Sequence, residues 1–318
     1  MSLRITGTGS CVPQLVIHNK DLEKKMDTSD EWITTRTGIK ERHICTTETA
    51  EELASNAAMR ALESAGIAAT ELDYILCGTI QGDFRTPSLA CLVQKHIGAS
   101  CPSFDLNAAC SGFVYALDVA AAYLESNRAK KILVVCTEIM SRVADWNDRS
   151  TCILFGDGAG AVVLEKGEDL LYIHLTAAGE SQNLSIGVHT GNSPYIECHN
   201  EDYFLHMNGQ EIYKFAVSSI GMGIESALGA IQKKPEEIDL YLLHQANRRI
   251  IEAARQRLSQ PSEKFPVNID RYVNTSSASL PLLLDELARA GKLKSGDLLL
   301  MSAFGAGLTT VTCVIRWG

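Results

Sequence analysis

The sequence holds no C-x-x-C pair, and no histidine stands at zinc-like spacing from its cysteines, so the ordinary structural-zinc and dithiol-redox readings fall away. It also lacks any apolar run approaching the roughly 20 residues that span a bilayer. The opening stretch MSLRITGTGSCVP carries no basic segment leading into a long apolar one. Positive charge is short as well: 38 acidic residues against 29 basic ones leave a net charge of −9, a field that repels nucleic acid and anionic membrane. These absences lead us to expect a soluble, cytoplasmic protein with no metal, no nucleic-acid partner and no membrane contact. What is present is apolar mass, 46% hydrophobic residues in a chain of 318, enough for a large core and about two units of roughly 150 residues each. The ten cysteines, at 11, 45, 77, 91, 101, 110, 136, 152, 198 and 313, read as reduced thiols, mostly core filler.

Several apolar runs are continuous and do not alternate: YILCGT (74–79), KILVVCTE (131–138), LYLLH (240–244) and DLLLMS (297–302). Strands covered on both faces read this way. Amphipathic stretches of helical length lie between them, such as TAEELASNAAMRALESAG (49–66) and NGQEIYKFAVSSIGMGIESALGAI (208–231), so the chain is α/β. Its halves also resemble each other in register. Ala61-Leu62 matches Ala227-Leu228, and Glu71-Leu72-Asp73 matches Glu237-Ile238-Asp239, both 166 residues apart. Asn107 then meets Asn274, and Leu117-Asp118 meets Leu284-Asp285, 167 apart. The reading is two similar α/β halves joined near residues 165–175, as domains 1–170 and 171–318.

Under this reading SFDL (103–106) is a buried strand and SGFVYALDVAAAYLESN a largely apolar helix, which puts Cys110 at a strand-to-helix turn. Unpaired N–H groups and the helix dipole there favour a thiolate and are expected to lower its pKa. His244 ends a buried strand in LLHQANRR, and Asn274, in YVNTSSASLP, occupies the repeat position matching the Cys110 turn. Ligands gather at the carboxyl ends of strands in such sheets.

Taken together and in order, DLNAACSGFVYAL, FGDGAGAVVL, LLHQANRRI, NTSSAS and AFGAGLT, with TSDEWITTRTGIKER (28–42) before them, resemble β-ketoacyl-acyl-carrier-protein synthase III. This is a decarboxylating condensing enzyme of the thiolase superfamily. The resemblance implies a thiolase-like fold of two duplicated five-stranded α/β halves in αβαβα layers. It implies a homodimer, and a reaction of acyl-CoA with malonyl-acyl carrier protein that uses no cofactor beyond the coenzyme A thioester as substrate. It assigns the acyl group to Cys110, completes the site with His244 and Asn274, and forms the oxyanion hole from the backbone N–H groups of Cys110 and Ala306. Trp32, Arg36 and Arg149 match positions that hold coenzyme A, and Lys214 a position where the carrier docks. A thiolase would need a second cysteine as base near its C-terminal glycine loop. The only cysteine after Cys198 is Cys313, which lies in step with Val311 and Ile315 on a strand-like run and reads as core. The sequence departs from the family at Thr86, where relatives often carry a bulky aromatic before the proline; in them that segment reaches the partner subunit's acyl pocket. A related condensing enzyme or acyltransferase of secondary metabolism, using the same cysteine, is the alternative.

One local charge opposes the global one. NRRIIEAARQRL (247–258) sets Arg248, Arg249, Arg255 and Arg257 against Glu252 alone, while Ile250, Ile251, Ala254 and Leu258 recur at helical spacing and can bury one face. Beside His244, this segment is expected to steer an acidic carrier protein.

Overall fold

The computed structural model describes residues 2–188, 194–195 and 202–318; Cys198 lies outside them. The continuous apolar runs become the central strands of two sheets. The first contains β1 (Arg4–Cys11), β2 (Tyr74–Gly78), β3 (Ser103–Leu106), β4 (Lys131–Ile139) and β5 (Asp157–Glu165), in the spatial order β1-β5-β4-β2-β3. The second contains β6 (Leu170–Glu180), β7 (Leu240–Leu243), β8 (Leu298–Gly305) and β9 (Gly307–Arg316), in the order β7-β8-β9-β6. In the first sheet β4 pairs in parallel with β2, and antiparallel with β5, which pairs antiparallel with β1. In the second, β8 pairs in parallel with β7 and antiparallel with β9, which pairs antiparallel with β6. Apart from β3, the two sheets therefore share one order and one set of directions.

The partner of β3 is missing among the described residues, so the second half has four strands where five were expected. Residues 270–273, which the repeat would place there, lie in and just after a helical turn (Ile269–Tyr272). The backbone just beyond is claimed by the other half: Asn274 N donates to Leu154 O at 3.0 Å, and Gly156 N donates to Asn274 O at 3.2 Å. A segment whose backbone groups are satisfied across the two halves has none left to extend its own sheet.

Seven helices of eight residues or more complete the described fold: α1 (Asp30–Thr37), α2 (Ala50–Ala65), α3 (Leu89–Ile97), α4 (Gly112–Glu125), α5 (Gly209–Ile231), α6 (Arg248–Leu258) and α7 (Ser279–Arg289). The apolar clusters show how they layer. One joins α2 and α3 to the outer face of the first sheet, a second joins α5 and α6 to the outer face of the second, and the largest holds α4 and α7 between the sheets. This is the αβαβα arrangement. The outer contact is unusually close at Gly9, where a Cβ would stand 2.3 Å from Ala57 O, so only glycine lets the alanine face of α2 rest on β1.

Leu117 and Leu284 are twins of the repeat, and each is fully buried in the middle layer. Either leucine changed to alanine should cost about 3 kcal/mol of stability, the transfer loss plus an unfilled cavity. Urea unfolding measures this, and losses below about 1 kcal/mol would show that the layer closes over the gap.

Candidate active site

The repeat is most literal where each half turns from strand into inner helix. Asn107 Oδ1 accepts the N–H of Ala109 at 3.1 Å, and Asn274 Oδ1 accepts the N–H of Ser276 at 2.8 Å. Ala109 and Ser276 both sit in the left-handed region, at φ 47° and 51°, a conformation that a short asparagine-anchored turn supports. A single 3₁₀ turn follows in each half, Ala109–Ser111 and Ser276–Ala278, and leads into α4 and α7. Cys110 and Ser277 thus occupy equivalent places. The two turns touch: Cys110 Sγ lies 3.5 Å from Ser276 Oγ.

Cys110, His244, Asn274 and Ala306 line one cavity of about 470 Å³. His244 follows β7 directly and is 1% exposed. Its Nδ1 lies 2.6 Å from Ser279 Oγ, the first residue of α7, while its Nε2 has no hydrogen-bond partner among the described residues. Burial pushes its pKa down to about 3, so the ring is neutral. A Ser279 hydroxyl donating to Nδ1 leaves the ring hydrogen on Nε2, free to donate to a bound molecule. In Asn274, Oδ1 is already engaged by its own turn, and Nδ2 is the end available to the cavity. The Phe304 ring stands edge-on to His244 with centroids 5.5 Å apart. Beyond it, β8 runs close over the Cys110 turn, since a Cβ on Gly305 would come within 2.9 Å of Cys110 N. Only a glycine permits that approach, and Ala306, which follows it, lines the same cavity as Cys110.

The expected low pKa of Cys110 is not found. Burial pushes the thiol up to about 12, and Glu138 adds to the rise, while the Ser276 hydroxyl works the other way. The position at a helix N-terminus holds, but the dry surroundings and a nearby carboxylate outweigh it. Cys313, read as core, is fully buried on β9.

At the exposed end of the cavity stand Trp32, Arg36 and Arg249. The Arg36 guanidinium lies 4.6 Å from the Trp32 ring centroid and that of Arg149 lies 5.4 Å from it, so the three residues singled out for coenzyme A come together around one indole. The arginine segment is less uniform. It forms α6 with Ile250, Ile251 and Ala254 inward, but Arg255 pairs with Glu252, Arg257 with Glu225 and Lys214 with Glu211. Among the described residues only Arg248 and Arg249 of the expected patch form no ion pair, because acidic neighbours three residues away or on α5 take up the other charges. Thr86 is exposed and stands outside the cavity lining, next to Phe84, which is 60% exposed.

Residues 104–179 match the family described as 3-oxoacyl-[acyl-carrier-protein (ACP)] synthase III, and residues 228–317 match its C-terminal counterpart. The chain is 47% identical to the beta-ketoacyl-[acyl-carrier-protein] synthase III of Xanthomonas campestris pv. campestris over 321 aligned positions, covering 99% of this chain and 98% of that one. The crystal structure of 3-oxoacyl-[acyl-carrier-protein] synthase III from Aquifex aeolicus superposes with a TM-score of 0.93 at 45% identity, covering 99% of this chain and 100% of that one. The Thermus thermophilus synthase III structure gives 0.91 at 41%, covering 99% of each. The chain belongs to the synthase III family. Its fold is the thiolase fold of these condensing enzymes.

Three residues of this synthase III site escaped the sequence reading. Ser279 orients His244, Ser276 touches the thiol, and Glu138, which is 0% exposed, receives the Ser276 and Ser277 hydroxyls at 3.0 and 2.7 Å and the Ile80 N–H at 3.1 Å. A glutamate closing the apolar run KILVVCT was the available signal for the last. Among the described residues no three His, Cys, Asp or Glu side chains group to hold a metal, and no helix is long and apolar enough to cross a membrane.

The depressed His244 pKa has a signed consequence. An imidazole that binds its proton less tightly when folded contributes stability above the unfolded value near 6.5, and loses it as pH falls toward about 3, by on the order of 5 kcal/mol. NMR of the imidazole should show no titration between pH 5 and 8, whereas an inflection near 6.5 would mean the ring is solvated.

Proposed function

We propose that the chain performs the decarboxylating Claisen condensation of an acyl-CoA primer with malonyl-acyl carrier protein, giving 3-ketoacyl-acyl carrier protein and starting fatty acid synthesis. In this reading residues 1–170 supply the nucleophile and residues 171–318 the hydrogen-bond donors. The observation that carries it is one cavity lining that joins a thiol at a helix N-terminus to two neutral donors, His244 Nε2 and Asn274 Nδ2, neither of which is engaged among the described residues.

Cys110 attacks the acyl-CoA carbonyl, and the backbone N–H groups of Cys110 and Ala306 hold the oxyanion. Coenzyme A leaves with its adenine end against Trp32, Arg36 and Arg149. The malonyl thioester then places its carbonyl oxygen between His244 and Asn274. Loss of carbon dioxide generates the carbanion directly, so no base need remove a proton from carbon. The developing enolate oxygen needs donors that stay neutral, as His244 does. The carbanion attacks the acyl group on Cys110, and the thiol is released. No cofactor takes part beyond the coenzyme A thioester itself.

Arg248 and Arg249, outside any ion pair at the cavity mouth, receive the acidic carrier, with Lys214, Arg255 and Arg257 as weaker contributors because each already holds a carboxylate. The exposed Phe84 near Thr86 supports a homodimer formed through that segment, and the cytoplasm is the proposed place of action.

Three measurements test this reading. Cys110→Ser should abolish acyl-enzyme formation. His244→Ala and Asn274→Ala should each slow carbon dioxide release from malonyl carrier protein by about 100-fold, near 3 kcal/mol per lost donor, with acylation changed less than tenfold; equal loss of both half-reactions would remove the assigned roles. Arg249→Glu should raise KM for the malonyl carrier several-fold at low salt and leave acylation by acyl-CoA near normal, while an unchanged KM returns α6 to an ordinary solvated surface.

A further inference from the structure

Cys110 must lose a proton to be acylated, and its surroundings offer two acceptors. His244 is one, but burial pushes it down to about 3. The other is reached through hydrogen bonds: Cys110 Sγ donates to Ser276 Oγ at 3.5 Å, and Ser276 Oγ donates to Glu138 Oε1 at 3.0 Å. We propose that Ser276 and Glu138 form the proton relay that activates Cys110, with Ser276 touching the reacting sulfur and Glu138 acting through it as a positioning residue. The inference deepens the condensing-enzyme reading and rests on it for the acyl donor.

The network has two proton arrangements for one set of heavy atoms. Ser277 Oγ lies 2.7 Å from Glu138 Oε1 and 3.1 Å from Gly78 O, two acceptors for a single hydroxyl hydrogen. When Glu138 is ionised, that hydrogen points to the carboxylate. When Glu138 holds a proton, it turns to Gly78 O. A proton arriving at Oε1 is therefore accommodated by rotating one hydroxyl.

The step balances. As the Cys110 Sγ–acyl carbon bond forms, the thiol proton moves to Ser276 Oγ and the Ser276 hydroxyl proton moves to Glu138 Oε1. As the bond from that carbon to the coenzyme A sulfur breaks, the proton returns through Ser276 to the departing sulfur, and Glu138 is ionised again. No electrons are exchanged with any other group. Burial raises Glu138 to about 7 and lowers His244, so Glu138 is the stronger base of the two. With the thiol up at about 12, a standing thiolate is a minor species, and the proton leaves as the bond forms.

Among the described residues the other titratable groups coupled to Glu138 are the thiols of Cys77 and Cys136, both pushed up by burial, so neither shares its titration near neutrality. The test follows two reactions of Cys110 over pH 5.5–9: alkylation by iodoacetamide, and single-turnover acylation by labelled acetyl-CoA. In the unaltered protein both should fall below an inflection near pH 7. Glu138→Gln keeps the size of the side chain and one acceptor oxygen, but it turns the other acceptor into an NH2 donor and removes the group that takes up the proton. It should slow both reactions at least tenfold at pH 7.5 and erase the inflection, and Glu138→Asp should recover part of the rate. Ser276→Ala, which leaves Glu138 in place, should cause the same loss without shifting the melting temperature by more than a few degrees. Rates within twofold of the unaltered protein in Glu138→Gln or Ser276→Ala, with the inflection retained, would overturn the relay. An unaltered protein that alkylates with the inflection but takes no acyl group from acyl-CoA would instead sink the condensing reading and leave the relay standing.

Discussion

The Glu138 carboxylate is buried with no cation paired to it among the described residues, and neutral donors fill its acceptor positions: two serine hydroxyls from the second half of the chain, the Ile80 amide, and Thr79 Oγ1 at 3.5 Å. Burying such a group costs several kcal/mol, and each hydrogen bond to it returns about 1.5–3. The balance remains against the charge. A pKa near 7 in place of 4.5 means that the ionised form is disfavoured by about 3 kcal/mol relative to water. The carboxylate therefore does two things at once. It fastens the Ser276–Ala278 turn onto β4 of the other half, which holds Asn274 and Cys110 in one cavity, and it stays close to both protonation states at neutral pH.

That fastening explains why the duplication is imperfect where it matters. Both halves build the same asparagine-anchored turn, with matching left-handed residues at Ala109 and Ser276. In the first half the turn ends a true strand, β3, and presents a thiol. In the second, the strand is replaced by a helical turn, and Asn274 pairs its backbone with Leu154 and Gly156 across the halves. The exchange sets Asn274 in the same cavity lining as the thiol of the counterpart turn. A strictly symmetric protein would give that segment to its own sheet edge and lose the convergence.

How far the sequence discloses this depends on the range of each interaction. The sheets were legible because covered strands leave unbroken apolar runs, as at Tyr74–Gly78 and Lys131–Ile139, and the repeat was legible because the matched pairs keep one register. Cys110, His244 and Asn274 were readable as a set through the motifs around them. The pairing of Ser276 with Glu138 was not, because 138 residues separate them and nothing local marks a glutamate at the end of an apolar strand as buried. The same limit applied to charge. Arg257 looked like part of a free patch until α5 supplied Glu225 from 32 residues away. The thiol's pKa was misjudged for a related reason, since the helix terminus is a local feature whereas the dry wall and the carboxylate come from distant segments.

These electrostatics also account for the separation of tasks along the cavity. Cationic groups, Arg36, Arg149 and Arg249, are confined to its exposed end, where water screens them and an anionic ligand can be gathered without a large desolvation cost. Among the described residues the floor carries no cation: His244 is neutral, Asn274 is an amide, and Phe304 presents an aromatic ring. A cation at the floor would bind the malonyl carboxylate and stabilise the reactant whose charge must be given up. In the proposed condensation, neutral donors aimed at the thioester oxygen would interact weakly with the carbonyl and strongly with the enolate that replaces it, concentrating their effect in the transition state. Burial, which made His244 a poor base, is thus what suits it to be a donor, and it leaves the acid–base work at the thiol to a group whose pKa was shifted the other way.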